Sequence, residues 1–239
     1  MAKSTIQQIR TELRKSRDKE KAAFLPRFFK TGPGEYGEGD KFIGVTVPIV
    51  RRLAKKHELS APSLKTLLRS PYHEDRQLAL FMLVRKYQTG DDETKKKIYE
   101  LYLDHTQYVN NWDLVDGSAH LIVGDYLKER SRRPLYKLAK SQSLWERRIA
   151  IIATYCYIKN DDFEDTLAIA ERLLNDKEDL IHKAVGWMLR EVGNRDRREE
   201  ERFLKRRYKT MPRTMLRYAI EKFPETKRQK YLKGKVLST

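Results

Sequence analysis

The sequence has a single cysteine, Cys156, among its 239 residues. One cysteine cannot form an intrachain disulfide, so a small secreted scaffold held by disulfides is excluded. The apolar neighbours of Cys156 predict a reduced thiol in the core. The five histidines form no His-x-x-x-His pair and join no Cys/His cluster, so we predict no metal site and no cofactor. Asp113 and Asp116 lie three residues apart, but Asp113 is expected to face another side or to bond locally.

Long hydrophobic runs are also missing. Hydrophobic residues make up 39% of the chain, and no uninterrupted apolar run approaches the roughly 20 residues that cross a bilayer. Residues 1–5 lead into a charged segment and not into the apolar core of a signal peptide. These features predict a soluble, cytoplasmic protein that makes no membrane contact. We also expect it to be a monomer.

Acidic residues are too few to balance the basic ones. The chain has 51 Lys and Arg against 34 Asp and Glu, a net charge of +17. Such a charge attracts polyanions, and nucleic acid is favoured over an anionic membrane because no basic stretch carries a strongly apolar face. Beyond residue 194 there are 16 Lys and Arg against 6 Asp and Glu, a net charge of +10. This basic segment is either a capping repeat with a solvated face or a source of extra phosphate contacts.

Apolar side chains recur at helical spacing, as in Ile6, Ile9 and Leu13, and no stretch shows the alternation of a strand. Apolar helices are predicted around Arg76, Trp112, Arg148 and Ala184, which follow one another at steps of 36 residues. The spacing predicts an all-α fold, an α-solenoid of HEAT-like two-helix repeats, with an irregular helical bundle as the alternative.

The predicted organisation is a single domain over residues 1–239. It begins with a helical pair at residues 1–30, continues through a Gly-rich loop at residues 31–41, and ends in a basic helical cap at residues 194–239. The loop holds four of the eleven glycines. A phosphate-binding loop would need a buried strand before it and a Lys-Ser/Thr after it, and neither is present.

Equivalent positions on successive second helices of a solenoid line one face, which is usually the concave, ligand-binding one. Trp112 and Asp116 are four residues apart and fall on one side of a helix. Near-equivalent repeat positions hold Arg148, Trp187 and Arg190. The alternatives are structural: the indoles could pack between repeats, Asp116 could bond the backbone or an arginine, and Arg148 could bridge two repeats.

Three segments together resemble the AlkD family of DNA alkylation-repair glycosylases. They are Trp-Asp-Leu-Val-Asp at 112–116, Trp-Glu-Arg-Arg-Ile-Ala at 145–150 and Lys-Ala-Val-Gly-Trp-Met-Leu-Arg-Glu at 183–191. Upstream, Arg-Phe-Phe-Lys at 27–30 and Phe-Ile-Gly-Val at 42–45, followed by Pro48 and Arg51-Arg52, are also similar to that family. The resemblance extends to about residue 193.

The resemblance implies a solenoid with a basic concave groove for duplex DNA. It assigns the catalytic aspartate to Asp116, the two lesion-side tryptophans to Trp112 and Trp187, and the cleft arginine to Arg148. Arg190 and Phe28 complete the expected DNA contacts, although family members often carry a tyrosine in the position of Phe28. The implied activity is excision of N3- and N7-alkylated purines from duplex DNA in base excision repair, without base flipping.

This chemistry suits the residues present. An N3- or N7-alkylated purine is already cationic, so it departs as a neutral base without a general acid. The enzyme must stabilise positive charge that grows on the deoxyribose, which a fixed carboxylate such as Asp116 does electrostatically. Asp116 could also position or deprotonate the attacking water. An indole face attracts a cationic centre by on the order of 0.5–2 kcal/mol per ring, and Arg148 would hold a phosphate beside the lesion.

Two other functions are compatible with the sequence. The first is a non-catalytic solenoid that binds nucleic acid or an acidic protein partner. The second is a family member that binds DNA but has lost excision. Such a member should lack the carboxylate or an indole, whereas this chain has all three residues.

Overall fold

The computed structural model describes residues 5–236, and its regular elements are helices. The α-helices are α1 (Ile6–Lys15), α2 (Lys19–Phe28), α3 (Val47–Lys56), α4 (Ala61–Leu68), α5 (His73–Thr89), α6 (Asp92–Leu103), α7 (Trp112–Asp116), α8 (Asp125–Leu127), α9 (Arg133–Leu138), α10 (Leu144–Ala153), α11 (Tyr155–Ile158), α12 (Glu164–Arg172), α13 (Asp179–Arg195), α14 (Arg197–Arg207), α15 (Arg213–Ala219) and α16 (Glu225–Leu232). Short 3-10 turns cover Thr106–Tyr108 and Ile220–Lys222, and a π-helical turn covers His120–Gly124. The predicted all-α class is confirmed for this part of the chain.

None of the helices described is both long and apolar enough to span a membrane. The chain divides into two compact units, Met1–Ser118 and Ala119–Thr239. The predicted N-terminal helical pair corresponds to α1 and α2, and the predicted C-terminal cap to α14, α15 and α16. The description of the whole chain as one domain stays a prediction.

The first unit is built around α5. This helix packs against α3, α4, α6 and α7, and α1 packs against α3. Its segment 78–84 is apolar on nearly every side, which is the pattern of a helix surrounded by others. Polar side chains at its N-terminal end, residues 73–77, are buried as well. Buried polar groups need partners, so this end of α5 must be connected to neighbouring polar atoms.

The second unit is built around α10 and α13. Helix α10 packs against α9, α12 and α13, while α13 packs against α12, α14 and α15. The helical hairpins α9/α10 and α12/α13 are therefore stacked, and α14 and α15 both pack against α13, which is the arrangement of a helical repeat. The apolar positions that face these neighbours, such as Ile149, Ile152 and Leu189, are fully buried.

The repeat spacing is less regular than the sequence predicted. Arg76, Trp112, Arg148 and Ala184 do lie in four successive helices, α5, α7, α10 and α13. Those helices begin at residues 73, 112, 144 and 179, so their starts do not follow a constant step of 36 residues. The second of them is also interrupted, because α7 ends after five residues and the chain turns at residues 117–118.

The Gly-rich loop is fastened to the N-terminal end of α5. The backbone N–H of Lys41 donates to the carbonyl of Pro71, and the N–H of His73 donates back to Lys41 at 2.8 Å. The buried Glu74 carboxylate accepts from three successive backbone N–H groups, those of Ile43, Gly44 and Val45, at 2.8–3.2 Å. The segment that follows the loop is therefore held in place by one side chain of α5.

Gly44 is required where this segment passes α2. Its φ of +88° is in the left-handed region, and a Cβ there would lie 2.0 Å from the carbonyl oxygen of Asp18. Gly34, in the loop, also has a positive φ of +75°, but a Cβ there would meet no atom within 4 Å.

We expect Gly44→Ala to destabilise the protein by more than about 3 kcal/mol, because it combines a backbone clash with an unfavourable φ. Gly34→Ala is the matched control and should cost only about 1 kcal/mol, because alanine adopts the positive φ there without a clash. Urea unfolding of the two variants measures the difference. Equal losses would show that α2 does not pack against Gly44 in this way.

Candidate functional site

The first unit contains a cavity of about 530 Å³. Its wall is formed by α2, the segment 42–47, α3, α5 and α7. Five aromatic side chains line it: Phe28, Phe29, Phe42, Phe81 and Trp112. The exposed cations Lys21 and Arg51 also belong to the wall, and the Arg51 guanidinium lies 5.2 Å from the centre of the Phe81 ring. An aromatic cavity with cations at its edge can take an uncharged or cationic planar group attached to an anionic chain.

Helix α7 contributes the residues singled out by sequence. Trp112 and Asp116 both line the cavity, as their separation of four helical residues implies. The helix begins at the N-cap Asn111, whose side-chain oxygen accepts from the Trp112 N–H at 2.8 Å. Its last residue is Asp116, which is half-buried and lines the cavity.

The rings beside Trp112 form a stack. The Phe29 ring is stacked on Trp112, with centroids 5.5 Å apart and an angle of 21°, and on Phe42, at 5.1 Å and 17°. Phe28 meets Trp112 edge-on at 6.1 Å. Phe28 is 51% exposed, so its ring has a free surface next to the indole. Phe28, Trp112 and Asp116 are thus the predicted site residues that the first unit brings together.

The sequence did not indicate the polar groups behind this wall. His73, the first residue of α5, binds Asp40 through Nδ1 at 3.0 Å and Asp113 through Nε2 at 2.9 Å. Gln77 Nε2 donates to the same Asp113 oxygen at 2.9 Å. The Asn111 amide and the Arg76 guanidinium both donate to the Asp40 carboxylate. We call these six residues the His73 network.

The expectation that Asp113 faces another side or bonds locally is wrong. Asp113 lines the same cavity as Asp116, and its hydrogen bonds go to α5, 36 and 40 residues away in the chain. The available signal was the run of five consecutive polar residues, 73–77, at the start of an apolar helix. Their partners could not be identified from sequence spacing.

The His73 network is charged at neutral pH. Burial would lower the pKa of His73, but its hydrogen bonds to Asp113 and Asp40 outweigh that effect and raise the pKa to about 9. For Asp40, burial acts to raise the pKa, but the contacts with His73 and Arg76 outweigh it and hold the pKa below its ordinary value. Two cations, His73 and Arg76, therefore face two carboxylates in a nearly closed environment.

Trp187 and Arg190 lie on α13 in the second unit. The Trp187 indole N–H donates to Glu191 Oε1 at 3.0 Å, and its ring is tilted against Tyr155 at 6.0 Å. Arg190 pairs with Glu191 at 3.3 Å and with Glu221. Both side chains are partly exposed, so contact with a ligand is open to them.

Arg148, on α10, has a different environment. It is only 4% exposed, and its guanidinium donates to the carbonyl of Leu180 at the start of α13. This contact joins two helices of the second unit, which is the structural alternative that the sequence left open. A phosphate contact by Arg148 stays a prediction. Within residues 5–236, no group of three His, Cys, Asp or Glu side chains is arranged to hold a metal ion.

Comparison with known proteins places the chain in a family. The family model described as DNA alkylation repair enzyme matches residues 9–223. A search of curated proteins gives no match. Among solved structures, a predicted DNA alkylation repair enzyme from Enterococcus faecalis has a similar fold, with a TM-score of 0.67 and 16% identity over 88% of this chain and 98% of that one. Because the family match spans most of the sequence, the chain belongs to the DNA alkylation repair enzyme family.

Proposed function

We propose that the protein is a DNA N-glycosylase that releases cationic N3- and N7-alkylated purines from duplex DNA as a step of base excision repair. One observation carries the proposal: α7 presents the Asp116 carboxylate and the Trp112 indole on the wall of one aromatic cavity. Membership in a DNA alkylation repair family supports DNA as the substrate.

Asp116 supplies the central interaction. As the glycosidic bond breaks, positive charge grows on the deoxyribose, and a fixed carboxylate beside it stabilises the transition state more than the ground state. The Trp112 and Phe28 rings add cation–π attraction to the same charge. Lys21 and Arg51 at the cavity edge are suited to the phosphates that flank the damaged nucleotide.

A general acid for the leaving base is not part of the proposal. The only histidine at the cavity, among the residues described, is His73, and both of its ring nitrogens are bonded to carboxylates. It therefore has no proton available for a departing base. A cationic purine needs none, whereas a neutral lesion departs slowly unless it is protonated.

For Trp187 and Arg190, the proposed contacts with the lesion or with DNA rest on the resemblance of their segments to glycosylases. The resemblance also implies a phosphate contact for Arg148, but its burial and its bond to Leu180 favour a structural role. The same resemblance supports excision without base flipping. The roles of these residues are independent of the role of Asp116, so an experiment that refutes one role leaves the other standing.

Asp116→Asn should lower single-turnover excision of 7-methylguanine by at least about 100-fold, because it removes the negative charge at constant volume. Affinity for duplex DNA should be unchanged or slightly higher. Asp92→Asn, an exposed carboxylate on α6 outside the cavity, is the matched control and should retain the wild-type rate. Asp113→Asn is unsuitable as a control, because Asp113 is part of the His73 network. Unchanged excision in Asp116→Asn would leave a non-catalytic DNA-binding protein as the better description.

The substrate range should follow the charge of the base. Duplexes with single N3-methyladenine or N7-methylguanine lesions should be processed, and duplexes with uracil, hypoxanthine or 1,N6-ethenoadenine should not. Trp112→Ala and Trp187→Ala should each slow both cationic substrates to a similar extent, since loss of one cation–π contact is worth up to about 2 kcal/mol, or roughly 30-fold. Efficient release of uracil would reveal a proton donor that is absent from this mechanism.

Affinity for undamaged duplex DNA should fall steeply with salt, because bound phosphates displace counterions. Two outcomes for Arg148→Ala distinguish its possible roles. A phosphate contact would lower the salt slope by about 1. Loss of the bond to Leu180 would instead lower the melting temperature and leave the slope unchanged. Because Arg148 is buried, we expect Arg148→Ala to lower the melting temperature and to leave the salt slope unchanged. Arg51→Ala, which removes an exposed cation at the cavity, should lower the salt slope.

A further inference from the structure

Helix α7 is too short to fix its own orientation. It has five residues, is followed directly by a turn at residues 117–118, and packs on α5. A helix of this length makes few internal hydrogen bonds and needs external contacts to stay in one position. Yet Trp112 and Asp116 must be placed accurately, because a shift of about 1 Å in a catalytic group can cost about 100-fold in rate.

Side-chain contacts from two other elements hold α7. From α5, His73 Nε2 and Gln77 Nε2 both bond Asp113 Oδ2 at 2.9 Å. From the Gly-rich loop, Asp40 Oδ2 accepts from the amide of the N-cap Asn111 at 3.2 Å. His73 Nδ1 bonds that same Asp40 oxygen at 3.0 Å, so one imidazole connects both attachment points.

His73 also supports Trp112 through the aromatic rings. Its imidazole lies 5.0 Å from the Phe42 ring at 27° and 4.9 Å from the Phe29 ring at 36°. Phe29 is in turn stacked on Trp112. A displaced imidazole would therefore disturb the indole by two routes, through Asp113 and through Phe29.

We infer that His73 is a positioning residue for the proposed excision reaction: by bonding Asp113 it fixes α7, and with it Trp112 and Asp116, relative to the cavity. The inference rests on the proposed function for its kinetic test. His73 itself touches no reacting atom in this role.

The charged groups around His73 support this role. Asp40 faces it from the loop, Asp113 from α7, and Arg76 from one turn along α5. The two carboxylates raise the pKa of His73 to about 9, so the imidazolium donates to both at neutral pH. If the ring lost its proton, either Asp40 or Asp113 would lose its hydrogen bond from His73.

Two substitutions separate the bonds of His73. The amide nitrogen of glutamine occupies the place of Nε2 and can reach Asp113, whereas that of asparagine occupies the place of Nδ1 and can reach Asp40. We expect His73→Asn to lower single-turnover excision of 7-methylguanine by at least 10-fold and His73→Gln to recover most of that loss. DNA affinity should change less than 3-fold in both variants.

The matched control is His105, a second buried histidine of the same unit, bonded to Leu101 and Arg69 and absent from the cavity wall. His105→Gln should lower the melting temperature but not the excision rate. The inference would be overturned if His73→Asn and His73→Gln lost the same excision rate. It would also be overturned if the rate losses of all three variants simply followed their melting temperatures.

A second measurement does not depend on excision. In the full chain labelled with 5-fluorotryptophan, the 19F resonance of Trp112, assigned with Trp112→Phe, should shift or broaden in His73→Asn and stay near its wild-type position in His73→Gln. In the wild type it should titrate with a midpoint near pH 9, and this titration should be absent from His73→Gln. A resonance indifferent to pH and to both substitutions would overturn the inference even if excision is observed. If no excision is observed in the wild type, the proposed function fails while this measurement still tests the position of α7.

Protonation of His73 should also contribute to the stability of the fold. The pKa of His73 is higher in the folded than in the unfolded chain, so its contribution is complete below pH 6.5 and is lost as the pH rises through about 9. The melting temperature of the wild type should therefore exceed that of His73→Gln by several degrees at pH 6, and the difference should shrink by pH 9.5. A constant difference over this range would show that His73 is not held as a cation.

Discussion

The buried ion pairs of His73 with Asp40 and Asp113 are the constraint on which the site in the first unit depends. They join three segments that are distant in the chain: the Gly-rich loop, the start of α5 and the start of α7. Breaking one partner of such a buried network leaves an uncompensated charge, which is more costly than the network is worth as a whole. The geometry of the aromatic cavity and the charges behind it are therefore maintained together.

The parts of this arrangement that depend on local spacing were predictable. The helical periodicity predicted an all-α fold, and the separation of four residues predicted that Trp112 and Asp116 share one side of a helix. Both depend on residues close in sequence. The interruption of the second repeat helix at residues 117–118 and the unequal helix starts were not predictable, because packing against other helices decides where a helix stops.

The parts of the site that depend on pairing between residues distant in the chain were not predictable from the sequence. Asp113 bonds residues 36 and 40 positions away, and neither a helical nor a repeat spacing identifies His73 as its partner. The same limitation applies to Arg148. An arginine that contacts a phosphate and an arginine that donates to a buried carbonyl have the same sequence signature, and burial of 96% of its surface became visible only in the fold.

The His73 network also explains why the histidine at the cavity is not expected to act as a general acid or base. A histidine acts as a general acid when one nitrogen faces the substrate and its pKa lies near the working pH. Here both nitrogens face carboxylates, and those carboxylates move the pKa of His73 to about 9. The group that could have protonated a leaving base instead holds α7, and in the proposed mechanism the chemistry depends on a carboxylate and aromatic faces. Such a site favours leaving groups that already carry the positive charge, which links the structural role of His73 to the proposed preference for alkylated purines.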